Sequence, residues 1–331
     1  MKVSAERNLK AVKYYVRAAV MVLLVSLLLA AAGCADSGPS SSGAVIGQDG
    51  YQVTDTQGHV LHLSHKPQRI VTLSLSSDEM VLGMTGPERV AALNHLADDP
   101  GISTIADKAA SITASARMRD YNAEMIVSFQ PDLVIVPDWI QADLIQTLRD
   151  LGLPVFVSKG PSTVVEVKQA ICEIAQSIGE EEAGARMVAA MDTELADLAA
   201  KTAAIPPDQR RSVVLVSHMA SYGGKGSLFD DMCGYAGVVN GAAAAGLGKN
   251  DALTKECIVK INPDLILLPT WKNGKLDVDK VKSDMQDDPA FQNLTAIRTK
   301  RLVQLSDAYL YCASQDIVQA IRDIYNAAYQ E

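Results

Sequence analysis

NAEMIVSFQPDLVIVPDW, residues 122–139, and TKECIVKINPDLILLPTW, residues 254–271, read as two copies of one design. Glu, Pro-Asp-Leu, Pro and Trp recur at a fixed offset between them, and the 2 tryptophans of the chain close the two copies. A repeat this widely separated implies two similarly built halves. The space between such halves is where a ligand most naturally sits.

Each copy has a physical reading. Asn122 and Thr254 are helix N-cap types, and Glu124 and Glu256 follow two positions later, where unpaired N–H groups and the helix dipole favour a carboxylate. A short helix therefore opens each copy. It ends before Gln130-Pro131 or Asn262-Pro263, because proline restricts its predecessor and cannot extend the hydrogen-bond ladder. Leu133–Val136 and Leu265–Leu268 then read as strands buried on both faces, as in a parallel sheet covered by helices, and Pro137 and Pro269 stop them. Asp138-Trp139 and Trp271-Lys272 emerge past those strands, at the carboxyl edge where open α/β sheets place a ligand crevice.

The N-terminus indicates export. Lys2, Arg7, Lys10, Lys13 and Arg17 precede the apolar run Ala18–Leu29, and Ala31-Ala32-Gly33-Cys34 follows, which is the layout of a secretory signal with small residues at its cleavage site. The segment divides as a signal over residues 1–33 and a tether over 34–48, whose Ser/Gly-rich part, Asp36–Gly43, behaves as a flexible coil. The formal net charge is −9, and losing the basic leader makes the remainder more acidic still. An acidic surface argues against nucleic acid as a partner. About 290 residues remain, enough for two domains. Besides Cys34 there are Cys172, Cys233, Cys257 and Cys312, which an oxidising compartment allows to form up to two bridges with the pairing left open. Cys172 lies in the apolar helical pattern AICEIAQSI and reads as a buried free thiol.

The other elements follow from pattern. Tyr51–Asp55 and His59–Leu63 flank Thr56-Gln57-Gly58 as a hairpin. Strands at Arg69–Leu73 and Val90–Leu93 enclose a helix at Asp78–Met84. After the first copy come helix Asp143–Leu151, strand Val155–Val157 and helix Val164–Ile178, completing a first lobe over residues 49–179. Residues 180–205 are rich in Ala, Leu, Met and Glu up to Pro206, and predict one long helix joining the lobes. A second lobe over 206–331 holds strand Ser212–Ser217, helix Leu228–Ala236, the second copy, strand Leu302–Leu305 and helix Asp316–Ala328. The fold class is thus α/β, with two lobes of mainly parallel sheet flanked by helices.

In this order the chain resembles the substrate-binding proteins of ABC importers for ferric siderophores, haem and cobalamin. The residues that carry the resemblance are Asp55 and Gly58 of the hairpin, Pro67 with Arg69-Ile70-Val71, Asn122-Ala123-Glu124, Pro131-Asp132-Leu133-Val134-Ile135, and Glu256 with Pro263-Asp264-Leu265. Cys34 after small residues resembles a bacterial lipobox, with Ala31 where leucine is more usual. The resemblance implies a monomeric binder, lipid-anchored through Cys34 to the outer face of the cytoplasmic membrane, with a ligand cleft between rigidly joined lobes and no resident cofactor. It also implies docking on a permease dimer through Glu124 and Glu256, where paired carboxylates would register the binder on a basic mouth.

For the cargo, the resemblance points first to Arg119, beside Met118 and Tyr121, as a guanidinium facing an anionic iron chelate. Trp139 and Trp271 offer flat faces, with Asp138 and Lys272 beside them. In the second lobe His218, followed by Met219 and Tyr222, stands past a strand, and Met118 or Met219 can pair with it as haem ligands. Tyr309 and Tyr311 match an aromatic pair that lines the pocket in some siderophore binders. His59, His62 and His65 alternate along an extended segment and form no compact metal site. Gly223–Ser227 lacks the Gly-Lys-Ser/Thr junction of a phosphate loop. The rival classes are a surface-anchored enzyme, for which no nucleophile elbow or H-E-x-x-H helix is present, and a binder that feeds a sensor.

Overall fold

The computed structural model describes residues 50–330 except 114–115, 218–221 and 273–276, so the leader, Cys34, the tether, His218 and Met219 lie outside the described residues. An antiparallel hairpin, β1 (Tyr51–Thr54) and β2 (Val60–Leu63), precedes the first lobe. That lobe holds β3 (Ile70–Thr72), α1 (Leu75–Met84), β4 (Val90–Asn94), α2 (Ala106–Ala109), β5 (Arg117–Met118), α3 (Ala123–Ser128), β6 (Leu133–Pro137), α4 (Ala142–Asp150), β7 (Val155–Ser158) and α5 (Val164–Ile178). Its five strands are parallel in the order β5-β4-β3-β6-β7. Then α6 (Glu181–Thr202) leads to β8 (Ser212–Leu215), α7 (Leu228–Tyr235), β9 (Val239–Asn240), α8 (Gly241–Ala244), α9 (Lys255–Ile261), β10 (Leu265–Leu268), α10 (Val278–Asp287), α11 (Thr295–Arg298), β11 (Leu302–Gln304), α12 (Asp307–Leu310) and α13 (Ile317–Tyr329). The second sheet is also parallel, ordered β11-β10-β8-β9.

The repeated motif does the same work twice. Asn122 accepts the Met125 amide at the head of α3, and Thr254 accepts the Cys257 amide at the head of α9. One residue of each helix is buried, Ile126 and its counterpart Ile258. Gln130 and Asn262 then turn the chain with φ of 50° and 48°, left-handed values uncommon for residues other than glycine. The aspartate after the proline ties the new strand to its neighbour. Asp132 accepts the amides of Gln68 and Arg69 and returns its own to the Arg69 carbonyl; Asp264 accepts the Ser212 amide and returns its own to the Ser212 carbonyl. Leu133–Pro137 and Leu265–Leu268 are wholly buried, as strands covered on both faces must be. Pro137 is the last residue of β6, where it was expected one residue past the strand's end.

Asp55, nearly buried, explains the Asp-x-x-Gly hairpin. Its carboxylate accepts the Gln57 and His59 amides inside the turn, and the Val157 amide and the Arg149 guanidinium outside it, so the hairpin is bolted to β7 and α4. Gly58 closes that turn at φ 83°, where a side chain would be strained.

Helix α5 buries Val164, Val167, Ile171, Ile174 and Ile178, a stripe at helical spacing capped by Thr163 and ended by Gly179 in the left-handed region. Cys172 falls one step off that stripe. It is exposed, which corrects the buried thiol expected from the apolar pattern; Cys233 and Cys312 are buried and all four described cysteines are free. Helix α6, 22 residues and about 33 Å long, packs on α5 of the first lobe and on α7 and α13 of the second. Arg89 fixes its start by bonding Glu180 and the carbonyls of Pro67 and Ile178, and Glu194 pairs with Arg322 of α13.

Candidate binding cleft

Because every strand pair within the two large sheets is parallel, the carboxyl ends of each lobe emerge at one edge. The chain order reverses between β3 and β6 in the first lobe and between β8 and β10 in the second, the switch points where open sheets form crevices. A direct bond joins the two edges. The Trp271 indole N–H, past β10, donates to Asp99, past β4, at 2.7 Å. A Cβ at Gly101 would lie 2.7 Å from the indole ring, so glycine is required for this close approach. The amides of Thr270 and Trp271 both donate to buried Asp307, which holds the tryptophan loop at its angle.

On the first-lobe side, Asp78 is buried beneath the cleft and accepts the Thr72 hydroxyl and the Asn94 amide, and burial raises its carboxyl well above the usual range. Asn94 in turn donates its side-chain amide to the Tyr121 hydroxyl. Burial, with the Asp78 charge adding to it, pushes the Tyr121 phenol up to about 12. Tyr121 therefore stays neutral and keeps its own proton to donate.

His95 follows directly and was outside the expected site. The strand reading stops at Leu93, whereas β4 runs to Asn94 and delivers His95 at the same carboxyl edge. Its Nδ1 is buried without a hydrogen-bond partner among the described residues. Burial, and then the neighbouring Arg119 charge, lower its pKa below 6.5. A hydrogen bond to the Met118 backbone opposes that shift without reversing it, so the imidazole is neutral at pH 7, next to the exposed Arg119.

Met118 corrects an expectation. The loop read over Ala116–Tyr121 contains the two-residue strand β5, paired to Leu93 and Asn94, and this turns Met118 fully into the core. Its thioether has no surface to offer a haem. Arg117 is committed to Asp98 and the Ala109 carbonyl, which leaves Arg119 as the exposed arginine of the loop.

Trp139, 64% exposed, stands past β6 beside Gly160, while Asp138 accepts the Gly160 amide and so joins the ends of β6 and β7. The two indoles thus differ in role: one is open to solvent and the other spans the lobes. Lys272 is exposed and paired with Asp279. In the second lobe the Tyr222 and Tyr311 rings pack at 4.6 Å between centroids, with the Tyr311 hydroxyl on Ser217 and the Tyr222 hydroxyl on the Leu310 carbonyl. Tyr309 is half-buried against the same core.

Residues 70–309 match the family described as periplasmic binding protein. The chain belongs to that family. The periplasmic binding protein is 25% identical over 292 residues to the Fe(3+)-citrate-binding protein YfmC of Bacillus subtilis, covering 85% of this chain and 86% of that one. It is 23% identical to the ABC transporter substrate-binding lipoprotein YvrC of the same organism, covering 95% and 98%. In fold it is similar to the periplasmic heme-binding protein RhuT of Roseiflexus in apo form, with a TM-score of 0.65 at 24% identity over 79% of this chain and 99% of that one.

In this periplasmic binding protein Glu124 and Glu256 are exposed in the first turns of α3 and α9. Helices that cross between parallel strands run against them, so both glutamates lie at the edge that carries the cleft. The backbone N–H groups at the head of α9, its own amide first and the Thr254 hydroxyl next, hold the Glu256 carboxyl below the usual range. Three residues on, hence on the same helix face, stand Val127 and Val259, 38% and 40% exposed.

Proposed function

We propose that this periplasmic binding protein is the substrate-binding component of an ABC importer, capturing a ferric siderophore or related iron complex and delivering it to a permease dimer. The observation that carries the reading is the group at the first-lobe cleft edge: an exposed Arg119, a neutral imidazole at His95 and a protonated phenol at Tyr121, opposite a lobe whose Trp271 reaches across. A guanidinium beside neutral donors and acceptors suits the negatively charged oxygens of an iron chelate. The name of the relative YfmC, which specifies ferric citrate, supports the same class. In this reading a lipid on Cys34 tethers the monomer outside the cytoplasmic membrane, as the name of the lipoprotein relative YvrC suggests, and Glu124 and Glu256, each with its exposed valine, meet the permease. The protein binds and releases without turnover.

The visible absorption spectrum of protein titrated with ferric chelates, haem and cobalamin tests the reading. A broad charge-transfer band that saturates at one equivalent is expected with a ferric chelate; a Soret or corrin spectrum alone would move the cargo to haem or cobalamin. Arg119→Ala is expected to weaken chelate binding about ten- to hundredfold, the range for losing hydrogen bonds to a charged partner. The same variant should raise the His95 titration midpoint toward 6.5, followed by imidazole NMR, because the Arg119 charge no longer opposes protonation. An unchanged affinity in Arg119→Ala would remove Arg119 from the cargo site.

A further inference from the structure

Beside Ser217, past the carboxyl end of β8, the second lobe has a partly open cavity of about 270 Å³. Leu215, Leu247, Leu253 and Ile258 wall it, while Ser217 is half-buried and Asp251 exposed. Several polar groups of the wall bond to residues just behind it. Lys225 donates its amide to the Leu247 carbonyl, Asn240 donates to the Gly223 carbonyl, and Asp251 accepts the Gly248 amide. Gly224 makes this possible, because a Cβ there would lie 2.0 Å from the Gly248 carbonyl oxygen. Among the described residues the wall is mainly Leu, Ile, Val, Ala and Gly, an interior that holds water weakly.

Size narrows the occupant. Pockets for whole drug-sized molecules begin at about 300 Å³, so this cavity is too small for a haem or corrin and suits part of a large chelate. Its place narrows it further. The Ser217 hydroxyl bonds Tyr311, whose ring packs on Tyr222, so the cavity adjoins the aromatic wall of the second lobe at the switch point between β8 and β10.

We propose that this cavity is a side pocket for an uncharged apolar arm of the cargo, an alkyl or aryl substituent carried by a metal chelate. The inference rests on the importer reading only for what the arm is attached to. It makes the second lobe the part that discriminates among chelates of equal charge, while the first lobe reads the charge itself.

The test is the binding of 1-alkanols from butanol to decanol to the full chain, followed by amide chemical shifts. Affinity is expected to rise about fourfold per methylene until the cavity is full and then to level off. Two filling variants, Gly223→Leu and Ala252→Trp, should abolish that rise with first-lobe amide shifts unchanged; a Cβ at Gly223 makes only ordinary contacts, the nearest at 3.5 Å. Absence of alkanol binding, or the same chain-length dependence in both variants, overturns the pocket. Protein that binds ferric chelates but no alkanol keeps the importer reading and rejects the pocket, and protein that binds alkanols but no chelate does the reverse.

Discussion

Reversal of both Glu124 and Glu256 to arginine is expected to abolish delivery of cargo to the permease and leave cargo affinity unchanged. Both carboxylates are exposed, so their replacement leaves no buried group without a partner. Each sits in the first turn of its helix, where a cation instead of an anion costs about 0.3–1 kcal/mol, too little to unfold a lobe. The effect on docking is much larger. Close charge pairs across an interface couple by about 1.5–7 kcal/mol, and two pairs on two lobes add, so a loss of at least a hundredfold is expected for the double variant and a lesser loss for each single one. Radio-iron uptake by cells carrying each variant checks the outcome, with chelate binding by the purified protein as the control. Uptake that survives the double reversal would leave a sensor partner, with no role for the paired acids. The valines sharpen the expectation. Val127 and Val259 stand on the same face as the glutamates in both lobes, so the surface expected of the proposed permease partner is a basic group beside an apolar contact, presented twice.

The sequence made the repeated unit legible because its residues act locally. Asn122 and Thr254 cap the next turn, and Asp132 and Asp264 bond the strand beside them, so the pattern contains its own explanation. Residues whose role depends on distant partners were not legible. Met118 reads as part of a loop until Leu93 and Asn94 supply a neighbour for a two-residue strand. Cys172 lies within an apolar run, and its exposure is decided by a single step around the helix, away from the stripe through Ile171, Ile174 and Ile178. His95 was missed through one residue of strand length. Trp271 is recognisable as a residue past a strand, but its bond to Asp99 depends on how the lobes meet, and nothing in either segment specifies that. Asp78 and Glu79 are the clearest case. The expected helix opens at Asp78, yet it starts at Leu75, and both Asp78 and Glu79 are buried.

Glu79 is where the largest effect on the body of the protein is expected. It is 1% exposed on α1, and its two oxygens serve different lobes: one accepts the Thr104 amide and hydroxyl at 3.1 and 3.0 Å, and the other accepts the Ser314 hydroxyl at 2.7 Å and the Cys312 thiol at 3.2 Å. These partners are all neutral, so burial is the leading influence and raises the carboxyl above 4.5. Between 4.5 and the raised value the native protein binds a proton that the unfolded chain has released. The stability contributed by Glu79 is therefore complete below about 4.5 and is lost as pH rises through the native value. Glu79→Gln preserves the shape and removes this titration, so its melting temperature should fall less than that of the parent between acidic and neutral pH. Asp78 is raised by burial as well, and the Glu79 charge adds to that shift, so Glu79→Gln also lowers the Asp78 value and moves the difference in the same direction. Glu79→Leu should behave otherwise. It strands the donors of Thr104 and Ser314 and breaks a contact between the lobes, at a cost of about 3 kcal/mol or more, with faster amide exchange on both sides of the junction. Parallel melting curves for Glu79→Gln and the parent across that pH range would show that this carboxyl does not titrate with folding. A Glu79→Leu protein as stable as the parent would show that Glu79 is not what holds the lobes at a fixed angle.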